Sequence, residues 1–222
     1  MFIIPCKFDK NNPIIFSCID AIKRYHPDDE ICVIDSNSSD TGYKNDLDKN
    51  VIFYDVKNNF YVLEAYNIAY QDNRDKKFFY CIHDSLILQS NISFVENSNL
   101  TTIRWWNSPP VQFGSNEDGS DLSIWANEQL VTYLGYPIPS VYKGVFGPMF
   151  LCSYKVLEAL ERSGIFNIKP KNKYELCAME RIIGIVLTEL GYDVTNSLQG
   201  EGGELFDIYD ETYVKKIHLE RM

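Results

Sequence analysis

Three short clusters bring together residue types that can hold a ligand: Pro5-Cys6-Lys7, Asp35-Ser36 and His83-Asp84-Ser85. Each closes a run of apolar and aromatic residues, so each falls where a strand is expected to end. A carboxylate in such a place accepts hydrogen bonds or gives a hard oxygen ligand to a divalent ion, and an imidazole can add a nitrogen ligand. The same residues also have an ordinary use, because Asp, Asn and Ser bond their local backbone and favour turns. Ser36-Asn-Ser-Ser-Asp40 has that composition throughout, and Asp40 is assigned to the turn. Glu180 is a different case. It breaks a helical face that carries Leu176, Ile183 and Leu187, where a carboxylate needs either a partner, with Arg181 next in sequence, or a purpose such as accepting a proton.

The elements that must position these groups follow from periodicity. Phe2–Cys6, Glu30–Asp35, Val51–Val56 and Lys77–Leu88 read as strands, and helices are expected from Pro13 to Tyr25 and from about Tyr61 to Gln71. Strands alternating with helices call for right-handed crossovers and a mainly parallel α/β sheet, whose ligands collect at the carboxyl ends of the strands. The second half is less regular: Arg104-Trp105-Trp106, a polar loop from Asn107 to Asp121, a strand at Met149–Cys152, a helix to about Ser163 and a long helix from about Lys173 to Leu190. Asn172 and Glu175 have the spacing of a capping box at the start of that last helix. Trp105, Trp106 and Trp125 are large faces that either pack in the core or stack on a ligand ring. One domain is expected, with halves at 1–100 and 101–199 and a charged, partly mobile tail at 200–222.

The formal net charge of -10 opposes binding to nucleic acid or to anionic lipid, since both depend on Lys and Arg. No apolar run is long enough for a membrane span. The six cysteines lie within apolar runs without metal-knuckle spacing, as expected of reduced core thiols in a cytoplasmic protein. The wealth of Asn, Lys, Ile and Tyr suits an AT-rich genome.

Four segments in order resemble the GT-A glycosyltransferases, most closely the family 2 type. Val33-Ile-Asp35-Ser-Asn-Ser38-Ser-Asp40 is similar to V-V-D-x-x-S-x-D, and Ala65-Tyr-Asn67-Ile-Ala69 to A-x-N-x-G with alanine at the last place. Tyr80-Cys-Ile-His83-Asp84-Ser85 resembles the D-x-D region with a single aspartate. Gly147-Pro-Met-Phe-Leu-Cys-Ser153, then Met179-Glu180 and Gly191-Tyr-Asp193, resemble the late strand and the x-E-D helix, again with one carboxylate of two. The likeness spans residues 2 to 194.

The resemblance implies a single GT-A, Rossmann-like domain that transfers a sugar from a nucleotide diphosphate donor, a UDP-sugar foremost, to a glycan or other hydroxyl acceptor. Pro5, Cys6, Lys7, Asp35, Ser36, Asn67, His83, Asp84 and Ser85 would line the donor site, with Asp35 on the base or ribose. Mn²⁺ or Mg²⁺, held by Asp84 and His218, would neutralise the diphosphate that an acidic protein repels. Glu180 would be the general base of an inverting transfer. Two alternatives remain at this stage. One is a degenerate, non-catalytic module that binds a glycan or a protein. The other is a sugar nucleotidyltransferase, although the glycine-rich phosphate loop of that class is absent after Phe2-Ile-Ile-Pro-Cys6.

Overall fold

The computed structural model describes residues 1–57, 62–108, 131–137, 139, 142–201 and 212–217. His218, Trp125, Tyr61 and most of the 107–121 loop lie outside the described residues. The chain divides into two compact units, Met1–Ser93 with Ile208–Met222, and Phe94–Asp207. The fold class is α/β with a mainly parallel sheet and flanking helices, as expected.

In the first unit the order is β1 (Phe2–Cys6), α1 (Ile14–Tyr25), β2 (Ile31–Ser36), β3 (Ile52–Val56), α2 (Val62–Asp72), β4 (Phe78–Cys81) and β5 (Leu86–Leu88). Strands lie in the order β3-β2-β1-β4, and all three neighbouring pairs are parallel. Phe2, Ile3, Ile4, Cys32, Val33 and Ile34 have no exposed surface, which is why β1 and β2 read as continuous apolar runs. The register sets Cys6 opposite Asp35 and Asp35 opposite Asp55, so three strands end level with one another. Helix α1 lacks a side-chain cap at Pro13. Its stability comes from the buried stripe Ile15, Cys18, Ile19 and Ile22, each large aliphatic side chain contributing about 1.5–3 kcal/mol.

The strand expected over Lys77–Leu88 is two strands. A turn separates them, closed by the Leu86 amide donating to the His83 carbonyl at 3.0 Å, with Asp84 and Ser85 at its centre. An uninterrupted strand would have sent His83, Asp84 and Ser85 to alternate faces of a sheet. The turn keeps them together. Part of the tail is also ordered, since β10 (Val214–Lys216) pairs antiparallel with β5 and sets Lys216 opposite Leu86.

The second unit contains β6 (Leu100–Thr102), β7 (Trp105–Ser108), β8 (Tyr142–Val145), β9 (Phe150–Ser153), α3 (Tyr154–Ser163) and α4 (Lys173–Glu189). Two antiparallel pairs form, β6 with β9 and β7 with β8. Helix α4 opens on Asn172, whose side chain accepts from the Glu175 amide at 3.0 Å, the expected cap. The helix lies close on β8, because a methyl group at Gly184 would come within 1.8 Å of the Lys143 carbonyl oxygen. Only glycine allows that approach.

Candidate functional site

At the carboxyl end of β2, Asp35 has no exposed surface. Its Oδ1 accepts from the Ser38 amide at 2.9 Å, and its Oδ2 accepts from the Ser38 hydroxyl at 2.6 Å and the Tyr43 hydroxyl at 2.7 Å. Ser38 Oγ in turn accepts from the Phe8 amide at 2.7 Å. The Phe8 ring stacks on Tyr43 with centroids 4.1 Å apart, which ties the loop after β1 to the loop after β2. Burial, with the adjacent Cys6 and the Asp35 carboxylate, pushes the Tyr43 hydroxyl well above the ordinary tyrosine range, so it remains a donor. Asp35 therefore organises the two loops from inside. Direct contact with a base or ribose, expected from the resemblance, has no geometric support at a carboxylate enclosed in this way.

At the end of β4 the arrangement is different. Asp84 and Ser85 are buried at 4% and 6% exposure, while His83 is half-buried. Lys216 on β10 donates from Nζ to Ser85 Oγ at 2.7 Å and meets His83 Nδ1 at 3.2 Å. The second contact requires Nδ1 to be the acceptor, so a neutral ring carries its proton on Nε2. The Ile217 amide donates to the Ser85 carbonyl at 2.9 Å, which fixes the register. Beneath the turn, the Cys18 thiol donates to the His83 carbonyl at 3.8 Å. Burial pushes the Cys18 thiol up, Asp84 adds to the rise, and Lys216 opposes it. Cys18 is thus an inert core thiol that lies within the fields of both charged groups.

The expected divalent ion can be tested against these residues. Among the described residues, no three His, Cys, Asp or Glu side chains group closely enough to hold a metal. Two atoms of the expected ligand turn, His83 Nδ1 and Ser85 Oγ, face an ammonium group instead. An ammonium bonded to both residues that flank Asp84 would repel a divalent ion at this turn and oppose the attraction of the Asp84 carboxylate. The described residues do not fit the ion. His218, the other expected ligand, lies outside them.

The remaining expected donor residues divide by exposure. Pro5 is half-buried in β1, Cys6 is buried, Ser36 is 8% exposed, and Lys7 is exposed just beyond the strand. Asn67 accepts from the Gln71 side chain at 3.1 Å, one turn along α2. Lys57, just past β3, pairs with Asp55 at 2.6 Å.

In the second unit, Glu180 Oε1 accepts from the Gly147 amide at 3.0 Å. Gly147 has a φ of 54°, a left-handed conformation that suits glycine, so Glu180 holds a turn. The apolar face expected around Glu180 is partial. Ile183 and Leu187 are buried, but Leu176 is 41% exposed. Arg181 is buried with its guanidinium 5.3 Å from the centre of the Trp106 ring, and Lys143 Nζ lies 5.0 Å from that of Trp105. Lys216 and Tyr43 are the residues that sequence reasoning missed, while Ser38 was named only as part of the turn motif after Asp35. Nothing local pointed to Lys216, which lay in a tail read as charged and partly mobile.

No family model matches the sequence, and no curated protein matches it. Among solved structures, the chain is similar to the galactosyltransferase LgtC in complex with donor and acceptor sugar analogues, at 11% identity over 82% of this chain and 71% of that one, with a TM-score of 0.40. An active-site mutant of LgtC gives 12% identity over 82% and 70%, with a TM-score of 0.41. Mouse xyloside xylosyltransferase 1 in its apo form gives 14% identity over 87% and 83%, with a TM-score of 0.45. The likeness is one of fold, at low identity. Among the described residues, no helix is long and apolar enough to cross a membrane.

Proposed function

We propose that this chain acts as one glycosyltransferase domain that takes a sugar from a nucleotide diphosphate donor, a UDP-sugar foremost, and passes it to a hydroxyl group of a glycan or another acceptor. The observation that carries the reading is the polar edge of the first unit's sheet, where the ends of β1, β2 and β4 present Lys7, the Ser36–Asp40 turn and the His83–Ser85 turn with Lys216. Parallel α/β sheets collect ligands at this edge. Within an acidic chain, an ammonium among hydroxyl and imidazole groups is the chemistry a diphosphate needs. The four-segment order of the sequence supports the same assignment. The acceptor is assigned to the second half, where Trp105 is half-buried, while Trp106 is a core residue.

A non-catalytic binding module is the second reading, favoured by the bond between Glu180 and the Gly147 amide, which gives the expected base a structural use. One experiment separates the two. The full chain is incubated with UDP-, GDP- and TDP-sugars and a panel of glycan acceptors, while binding is followed by thermal shift and turnover by release of nucleoside diphosphate. The enzyme reading expects both a rise in melting temperature and release of UDP, because a ligand of the native state stabilises it by mass action. Stabilisation by a glycan acceptor alone, with no nucleoside diphosphate released under any condition, would select the module, and the absence of binding by every nucleotide sugar would end the enzyme reading.

A further inference from the structure

We infer that Lys216 is the resident cation of the candidate donor site, and that it holds the diphosphate of a nucleoside diphosphate ligand without a divalent ion. The inference rests on the donor reading above and assigns the charge that reading leaves open. Three features of the first unit carry it.

The ammonium is built in. Lys216 is fixed by the β10–β5 register, which pairs Val214 with Leu88, Lys215 with Ile87 and Lys216 with Leu86, and by the Ile217 amide on the Ser85 carbonyl. Its Nζ is oriented by Ser85 Oγ at 2.7 Å and His83 Nδ1 at 3.2 Å. An oriented ammonium has already lost most of the side-chain freedom that binding an anion would otherwise remove.

The ammonium also sits at the turn that was expected to hold the ion, bonded to both residues that flank Asp84. The turn at the end of β4 is the expected metal turn, and His83 and Ser85 use there the acceptor atoms that would face a cation. A cation is present at the turn, but it is covalently part of the chain. Both Lys216 and His83 are half-buried rather than enclosed in the core.

Lastly, the neighbouring strand ends offer what the rest of such a ligand requires. Lys7 is exposed beyond β1, and the Ser36–Asp40 turn beyond β2 is held in shape from below by Asp35. Lysine acts on phosphate as a compact point charge with several donors and needs no fixed coordination geometry. A pyrophosphate group therefore fits this edge better than a planar carboxylate, which favours the arginine fork.

The test is calorimetric titration of UDP into the full chain, once in EDTA and once in Mn²⁺, using wild type, Lys216→Met, Lys216→Arg and, as a control, Lys215→Met at the exposed neighbouring position. The expected affinities in the two buffers agree within about threefold. Lys216→Met is expected to weaken UDP at least about tenfold in both buffers, Lys216→Arg to recover part of the loss, and Lys215→Met to change affinity by less than about twofold. Melting temperatures of all four proteins show whether each is folded, and should Lys216→Met fail to fold, the wild-type buffer comparison and Lys216→Arg still decide. UDP binding that collapses in EDTA, or that is unchanged in folded Lys216→Met, overturns the inference while leaving the donor reading in place. No UDP binding in either buffer overturns both.

Discussion

Asp35 and Asp84 stand at the carboxyl ends of two strands of one parallel sheet, both are almost without exposed surface, and the structure uses them in different ways. Around Asp35 the donors are local. Ser38 and Tyr43 lie three and eight residues on, and the carboxylate is enclosed by the loop it organises. The turn that contains Asp84 receives its charged neighbour from the far end of the chain, where β10 brings Lys216 against His83 and Ser85 across more than 130 positions. A carboxylate satisfied by its own loop is a structural anchor. A turn bonded by an ammonium from a residue distant in sequence is held by the tertiary fold instead. The same residue type at equivalent strand ends thus gives two outcomes, according to what the rest of the fold brings up to it.

The comparison predicts its largest effect at Asp35. Asp35→Ala strands the Ser38 amide, the Ser38 hydroxyl and the Tyr43 hydroxyl in a buried place, so a loss of about 3–4 kcal/mol is expected in urea unfolding, with the expressed protein markedly less stable. A loss under about 1 kcal/mol would mean that the loop does not depend on this carboxylate, and the contrast with Asp84 would fail.

A smaller effect is expected at Tyr43. Its hydroxyl titrates higher in the folded chain than in the unfolded one, for which the ordinary value is 10.0. The folded state therefore keeps a proton that the unfolded state releases. The resulting stability is complete below about pH 10 and is lost as pH rises further, at up to about 1.4 kcal/mol per pH unit. Tyr43→Phe should cost about 1 kcal/mol at neutral pH and flatten that alkaline decline. Parallel alkaline unfolding curves for mutant and wild type would place the decline in other groups.

The smallest effect on stability is expected at Asp84, and it is the sharpest test of the contrast. Asp84→Asn keeps the shape of the turn while removing a negative charge near the ammonium. If Lys216 holds the diphosphate, UDP affinity should be unchanged or rise by a fewfold, with stability altered by less than about 1 kcal/mol. If Asp84 instead holds a metal for the ligand, affinity in Mn²⁺ should fall at least about a hundredfold. Titration of the folded mutant distinguishes the two.

Much of the fold was legible from the chain because its signals are local. The apolar runs of β1 and β2, the buried stripe of α1 and the box at Asn172 and Glu175 each depend on residues within a few positions of one another. The errors arose where local pattern was ambiguous. Lys77–Leu88 is apolar enough to read as one strand, and the turn within it is marked only by Asp84-Ser85, a weak signal beside the flanking Leu86-Ile-Leu88. Leu176 sits at the spacing of a core residue but is exposed in the first turn of α4.

By itself, the sequence determined an α/β architecture, the strand ends at which ligand chemistry would gather, and the residue types available there. It also determined that the chain is acidic, so that any phosphate ligand needs a positive charge from somewhere. Only the tertiary structure decided which side chains meet. It enclosed Asp35, gave Glu180 the Gly147 amide, and carried Lys216 to the turn where the family pattern expects an ion. The physical reason is range: periodicity and turn chemistry act over a few residues and are written in the local sequence. A contact between His83 and Lys216 exists only once the β10–β5 pairing has set its register, and no local pattern encodes which strand a short, charged segment of the tail will join.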